Sequence, residues 1–238
     1  MLYKMKKNLN QKLINLIEYH NLINTDIFIS NAPIKRSING DMTTSYTSKK
    51  QKLKKLENKI KLIKNCELKK NATNLVFADG NVRAKIMIIG EGPGAQEDME
   101  GIPFVGRAGK LLDKMLLSIK LNREKVYISN VVNYRPPSNR KPMDEEIERY
   151  LPYLINHIEI INPKILLLLG STALNAIIGN QEVISKARGK WVQKKIGSIK
   201  PWIIASFHPA FLMRQPDQKK FSWIDLKMIR DKIKDLRI

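Results

Sequence analysis

The sequence predicts an α/β domain built on a parallel sheet with helices on both faces, and two observations carry that expectation. Four short, almost wholly apolar runs recur at long intervals: "AKIMIIG" (84–90), "KVYISNVV" (125–132), "KILLLLG" (164–170) and "PWIIASF" (201–207). Segments with helical apolar spacing separate the first three, "AGKLLDKMLLSI" (108–119) and "DEEIERYLPYLINHIEII" (144–161), and another, "STALNAIIG" (171–179), follows the third. Strands buried on both faces read as unbroken apolar runs, and parallel neighbours need a crossover long enough to hold a helix.

Ahead of this alternation the chain has a different character. "NLNQKLINLIEYHNLI" (8–23) places Leu13, Leu16, Ile17 and Leu22 on one helical face. "RSINGDMTTSYTSKK" (36–50), polar and rich in Ser and Thr, reads as a flexible linker. "KKQKLKKLENKIKLIKNC" (49–66) then resumes a basic helix, with Leu53, Leu56, Ile60 and Ile63 on the face that would pack against the domain. The expected organisation is a basic helical extension over 1–66 and an α/β domain over 67–238. The chain closes on an amphipathic helix, "FSWIDLKMIRDKIKDL" (221–236), with Ser222 placed to cap it.

Composition narrows the function classes. A chain of 238 residues can bury a full core. No run approaches the eighteen apolar residues of a membrane span, and the basic N-terminus lacks the apolar stretch and cleavage site of a secretory signal. One cysteine, Cys66, rules out an internal disulfide and any all-cysteine metal site within the chain, and fits a reducing cytoplasm. The three histidines are too scattered for ordinary zinc-ligand spacing. A net charge of +21 points to a polyanionic partner, nucleic acid first, although the surplus of Lys over Arg beside abundant Ile and Asn also fits a nucleotide bias.

Ligands of an open parallel sheet bind beyond the carboxyl ends of its strands. Here those positions hold "GEGPG" after the first run, Asn130 near the end of the second, "GST" after the third and "HPAFLMR" after the fourth. Glu91, Asn130 and His208 are therefore expected around one crevice. "GEGPG" matches neither common phosphate-loop spacing, and Glu91, Glu97, Asp98 and Glu100 would repel phosphate. Its glycines fit close backbone approach to a flat ligand. Phe104 is either a core aromatic or a stacking platform for a planar ring. Asn130 carries the donor and acceptor complement of an imide edge, yet strand-end asparagines also serve turns. His208, before Pro209, is either chemical or structural.

The stretches "GEGPGAQEDMEGIPFVGRAGKLLDKML", "YISNVVNYRPPSNRKP", "LLLLGSTALNAIIG", "ISKARGKW" and "ASFHPAFLMR", in this order, resemble the family-4 uracil-DNA glycosylases over about residues 63 to 236. The resemblance implies a three-layer α/β/α sandwich with a short central parallel sheet of about four strands. It implies hydrolysis of the bond between uracil and deoxyribose in DNA by an enzyme expected to be monomeric. That reaction calls for stabilising a leaving uracil anion, positioning a water and flipping the nucleotide out of the duplex. Carried over residue by residue, His208 would hydrogen-bond uracil O2, and Asn130 would read the O4 and N3–H edge. Phe104 would stack on the ring, the Gly92 backbone would close over it and Glu91 would shape the pocket. Glu97 would position the water, with Asp98 the second choice. Phe211 or Leu212 would wedge the duplex, while Arg214, Arg135, Arg140 and Arg188 would hold its backbone.

The sequence departs from the family at the four cysteines that hold its [4Fe–4S] cluster. Those positions fall on Ile63, Cys66, Tyr134 and Tyr150, so no cluster and no other cofactor is expected, with Ile63, Tyr134 and Tyr150 filling the space by packing. Two other functions stay open on the sequence. One is a uracil-DNA binder without turnover, or one that traps its product covalently through His208. The other is a DNA-associated scaffold working through the basic extension.

Overall fold

The computed structural model describes residues 40–179 and 182–238, and residues 42–238 form one compact unit. The helix expected over 8–23 and positions 36–39 of the expected linker lie outside the described residues. Six strands make one sheet in the order β1-β3-β2-β4-β6-β5. The four central strands are the four apolar runs: β2 (Ile86–Gly90), β3 (Val126–Asn130), β4 (Ile165–Leu169) and β6 (Trp202–Ser206), all parallel. Two short antiparallel strands, β1 (Asp79–Gly80) and β5 (Trp191–Gln193), close the edges and leave little free ladder for another chain to pair with.

Alternation along the strands builds the layers. Met87, Ile89, Leu166, Leu168, Ile203 and Ala205 face one core. There they meet α1 (Gly40–Lys61), α5 (Asp144–Ile161) and α6 (Ser171–Ile178). Ile86, Ile88, Val126, Ile128, Ile165, Leu167, Leu169 and Ile204 face the other. This second core is covered by α4 (Arg107–Leu117) and α9 (Lys219–Asp235). The arrangement is the three-layer α/β/α sandwich.

Three expectations are corrected. Residues 40–50 are the start of α1 and not a linker: helix runs unbroken from Gly40, and Lys49 Nζ donates to the Ile161 carbonyl at 2.8 Å. The Ser/Thr penalty is tenths of a kcal/mol per residue, which the burial of Leu53, Leu56 and Ile60 outweighs. Because that face belongs to the main core, α1 is part of the α/β unit, and a boundary at 66 falls inside the packed structure. Ser222 does not cap α9, which begins at Lys219; it is buried one turn in, with its Oγ 3.3 Å from Ser206 Oγ.

Candidate active site

The carboxyl ends of the parallel strands converge as their loops predicted. Gly90 at the end of β2 is in register with Asn130 at the end of β3, and Leu169 of β4 with Ser206 of β6, two residues before His208. Above them is a cavity of about 180 Å³ lined by Glu91, Gly92, Glu97, Phe104, Asn130 and His208, among others. That is below the range of drug-sized pockets and suits one small planar ring.

Glu91, Glu97 and His208 are each held by specific hydrogen bonds, and Asn130 is the exception. Asn130 is buried, and its Oδ1 has no hydrogen-bond partner. A buried acceptor left unpaired costs stability, so its presence on a cavity wall marks a place for a ligand donor. His208 caps α8 (Pro209–Arg214), its Nδ1 accepting from the Ala210 N–H at 3.2 Å. An accepting Nδ1 puts the proton of the neutral ring on Nε2, which is then a donor. Burial, with the charge of Arg214 adding to it, pushes the imidazole down to about 4, so the ring is neutral near pH 7.

Phe104 lies against His208 with ring centroids 5.6 Å apart and a tilt of 32°. Glu91 accepts a hydrogen bond from Thr172 Oγ1 at the start of α6. The sequence reading noted the "GST" loop without finding this link, which joins loops 81 residues apart. Glu97, in α3 (Ala95–Glu100), accepts from Gly94 N–H at 3.2 Å through Oε2 and from Gly106 N–H at 2.9 Å through Oε1. Each oxygen keeps further lone-pair capacity. Asp98, the second choice for the water, is buried outside the cavity and accepts from Thr73 and Asn74 N–H at 2.9 and 3.0 Å, a structural duty.

The residues expected at the DNA backbone divide. Arg214 is exposed at the end of α8, and Arg135 is half-buried with its Nε on Asn139 Oδ1 at 2.7 Å. Arg140 forms a two-pronged pair with Glu146 at 2.6 and 2.8 Å and stiffens the cavity wall. Arg188 does not reach the surface as a phosphate contact: it is bound to the buried Asp225 and to the Phe221 carbonyl. Leu212 is buried in the domain and is not placed to wedge a duplex, whereas Phe211 is half-buried against Phe207, centroids 5.0 Å apart.

Ile63, Cys66, Tyr134 and Tyr150 are buried in one core, and Cys66 Sγ is 3.4 Å from the Tyr150 hydroxyl. Burial pushes both phenols up, so they remain protonated, and Ile63 offers no donor atom. This set does not fit a four-thiolate iron–sulfur cluster. Among the described residues, no helix is long and apolar enough to cross a membrane.

The model of the Uracil DNA glycosylase superfamily matches residues 77–231. The type-4 uracil-DNA glycosylase of Archaeoglobus fulgidus is 42% identical over 168 residues, covering 69% of this chain and 84% of that protein. The one from Thermotoga maritima is 45% identical over 150 residues, with 63% and 77% covered, and that of Sulfurisphaera tokodaii 40% over 184 residues, with 75% and 84%. With the catalytic-end loops assembled on this sheet and the match spanning most of the described fold, the chain belongs to the type-4 branch of the uracil-DNA glycosylase superfamily.

Proposed function

We propose that this protein is a DNA repair glycosylase that hydrolyses the N-glycosidic bond of uracil in DNA and leaves an abasic site. One observation supports the reading most: a buried, unpartnered Asn130 Oδ1 on the same small cavity as a neutral histidine whose free nitrogen donates. Uracil presents the matching groups. Its N3–H supplies the donor that Oδ1 lacks, and its O2 accepts from His208 Nε2. With Oδ1 facing N3 and Nδ2 facing position 4, cytosine would set its N3 lone pair against Oδ1 and its amino donor against Nδ2, so it leaves both ends of the amide unsatisfied.

The duplex must release the nucleotide into the cavity, where Phe104 stacks on the base and the Gly92 backbone covers it. The bond between C1′ and N1 breaks with its electron pair moving onto the base, and the charge spreads to O2, where His208 Nε2–H stabilises it. A neutral donor suits this task. Water held by Glu97 adds its oxygen to the cationic C1′ and gives up a proton through that carboxylate, while Glu97 also offsets the sugar's positive charge. Glu91, fixed by Thr172, shapes the pocket. Arg214, Arg135 and Phe211 serve the duplex from the rim. The enzyme works as a cytoplasmic monomer without a cluster, the Cys66–Tyr150 contact and Ile63 packing at the positions that the family resemblance assigns to cluster ligands. Stoichiometric iron in anaerobically purified protein would overturn that last point.

The test is excision from a labelled oligonucleotide with one U·G pair, at multiple turnover and resolved on denaturing gels. Wild type should give alkali-labile product. His208→Ala should lose about 10²- to 10³-fold, as for one donor to a developing anion. Asn130→Ala should lose about 5- to 150-fold, the cost of about 1–3 kcal/mol for leaving a buried hydrogen-bonding group of the base unpaired. Tight uracil-dependent binding without product would make the protein a binder, and a band that survives denaturation would indicate covalent trapping.

A further inference from the structure

We infer that Arg123, which lies outside the cavity, is a positioning residue that holds the base-stacking ring of Phe104 in place. The inference rests on the reading of Phe104 as the stacking platform. Phe104 has φ +55°, a left-handed backbone conformation that a bulky side chain rarely adopts and that costs energy unless its surroundings enforce it. What enforces it is visible. Arg123 Nη2 donates to the Phe104 carbonyl and Nη1 to the Pro103 carbonyl at 3.1 Å, clamping both peptide groups that flank the residue.

The guanidinium is itself fixed from two other elements. Nη1 donates to Asp79 Oδ2 at 2.7 Å in edge strand β1, and Nε and Nη2 donate to Asp113 at 2.9 and 3.5 Å in α4. A guanidinium has five N–H donors, and these five contacts use them all. Lysine has three donors and no planar fork, so it can hold only part of the arrangement. Gly109 completes the seat: a Cβ there would come within 1.7 Å of the Phe104 carbonyl oxygen, the atom Arg123 grips. The clamped backbone carries a ring with little room to shift: Phe104 Cζ would be 2.4 Å from a Cβ on Gly90, and the ring lies 5.6 Å from that of His208. Strand, helix and loop thus meet on one cation whose effect is delivered inside a cavity it does not line.

The experiment compares Arg123→Gln, Arg123→Lys and Phe104→Ala, and the Arg123→Gln/Phe104→Ala double variant. It reads kcat and KM for uracil excision, inhibition by free uracil and the melting temperature. Free uracil reports on the platform without the duplex. Phe104→Ala should weaken its inhibition about 5- to 150-fold, the range for one base stacked on an aromatic ring. Arg123→Gln should reproduce at least about fivefold of that loss, and Arg123→Lys should fall between it and wild type. In the Phe104→Ala background, Arg123→Gln should add less than about twofold. Equal losses in both backgrounds, or wild-type uracil inhibition by Arg123→Gln beside an impaired Phe104→Ala, overturn the inference. If Phe104→Ala itself binds uracil normally, the platform reading fails instead. Should Arg123→Gln melt below the assay temperature, Arg123→Lys carries the same comparison.

Discussion

At the scale of single residues, Gly90 shows how little space the site has to spare. A Cβ at this position would sit 2.4 Å from Phe104 Cζ and 2.5 Å from Asn130 Oδ1, the two groups proposed to stack on the base and read its edge. Gly90→Ala therefore has to displace one of them, at an overpacking cost of about 1–3 kcal/mol. The expected outcome is at least a tenfold loss in single-turnover excision, with a fold that still melts cooperatively; unchanged excision would show that the pocket yields without consequence. Where chemistry and strand ends coincide, the sequence placed Glu91, Gly92, Asn130 and His208 around one crevice, and these residues line one cavity. Residue-scale reading failed at Arg188 and Leu212. A basic motif and an apolar residue after a strand look the same in sequence whether they face DNA or the core, and Asp225, which binds Arg188, is 37 residues away.

At the scale of elements, α1 is the informative case. Its lysines coat a helix whose apolar face was expected to pack against the domain, and Leu53, Leu56 and Ile60 lie in the same core as Tyr150 and Leu154 of α5. Ile60→Ala should cost about 2–4 kcal/mol, the usual loss for removing a fully buried aliphatic side chain. Urea unfolding measures this directly: a shift in midpoint with unchanged slope is expected, whereas no shift would mean α1 does not contribute to the cooperative unit. The parallel strands and their helices were legible because apolar periodicity extends over five or more residues. The edge strands were not, since two residues in β1 and three in β5 carry no period and owe their pairing to the neighbours they meet. The Ser/Thr run misled for a related reason, as local propensity is weaker than the packing farther along the same helix.

At the scale of the whole molecule, two neutral histidines, His157 buried and His208 half-buried, tie stability to pH. His157 lies between the layers, stacked on Phe77 at 4.5 Å with its Nε2 2.9 Å from the Tyr127 hydroxyl, and burial pushes it down to about 3. His208 is pushed down to about 4 for the same reason. Unfolding returns both to about 6.5. Between the folded and unfolded values the unfolded chain binds more protons, so it is favoured as acid is added. The contribution is fully present above about pH 7 and is lost progressively as pH falls from about 6.5 toward 3 to 4. For His157 the loss is on the order of 3–5 kcal/mol, from about 1.4 kcal/mol for each pH interval. His157→Gln keeps a polar partner for Tyr127 but cannot titrate. Its urea midpoint should fall less steeply than that of wild type between pH 6.5 and 4, and an identical decline would assign the acid sensitivity elsewhere. Excision should follow a different course, because His208 stays neutral in the folded enzyme well below pH 6.5. In protein kept folded at low urea, the step that depends on its Nε2–H should persist to about pH 5, after stability has begun to fall. If activity instead declines in step with a pKa near 6.5, the histidine in the folded site is less buried than its contacts imply, and the neutral donor is lost already near that pH.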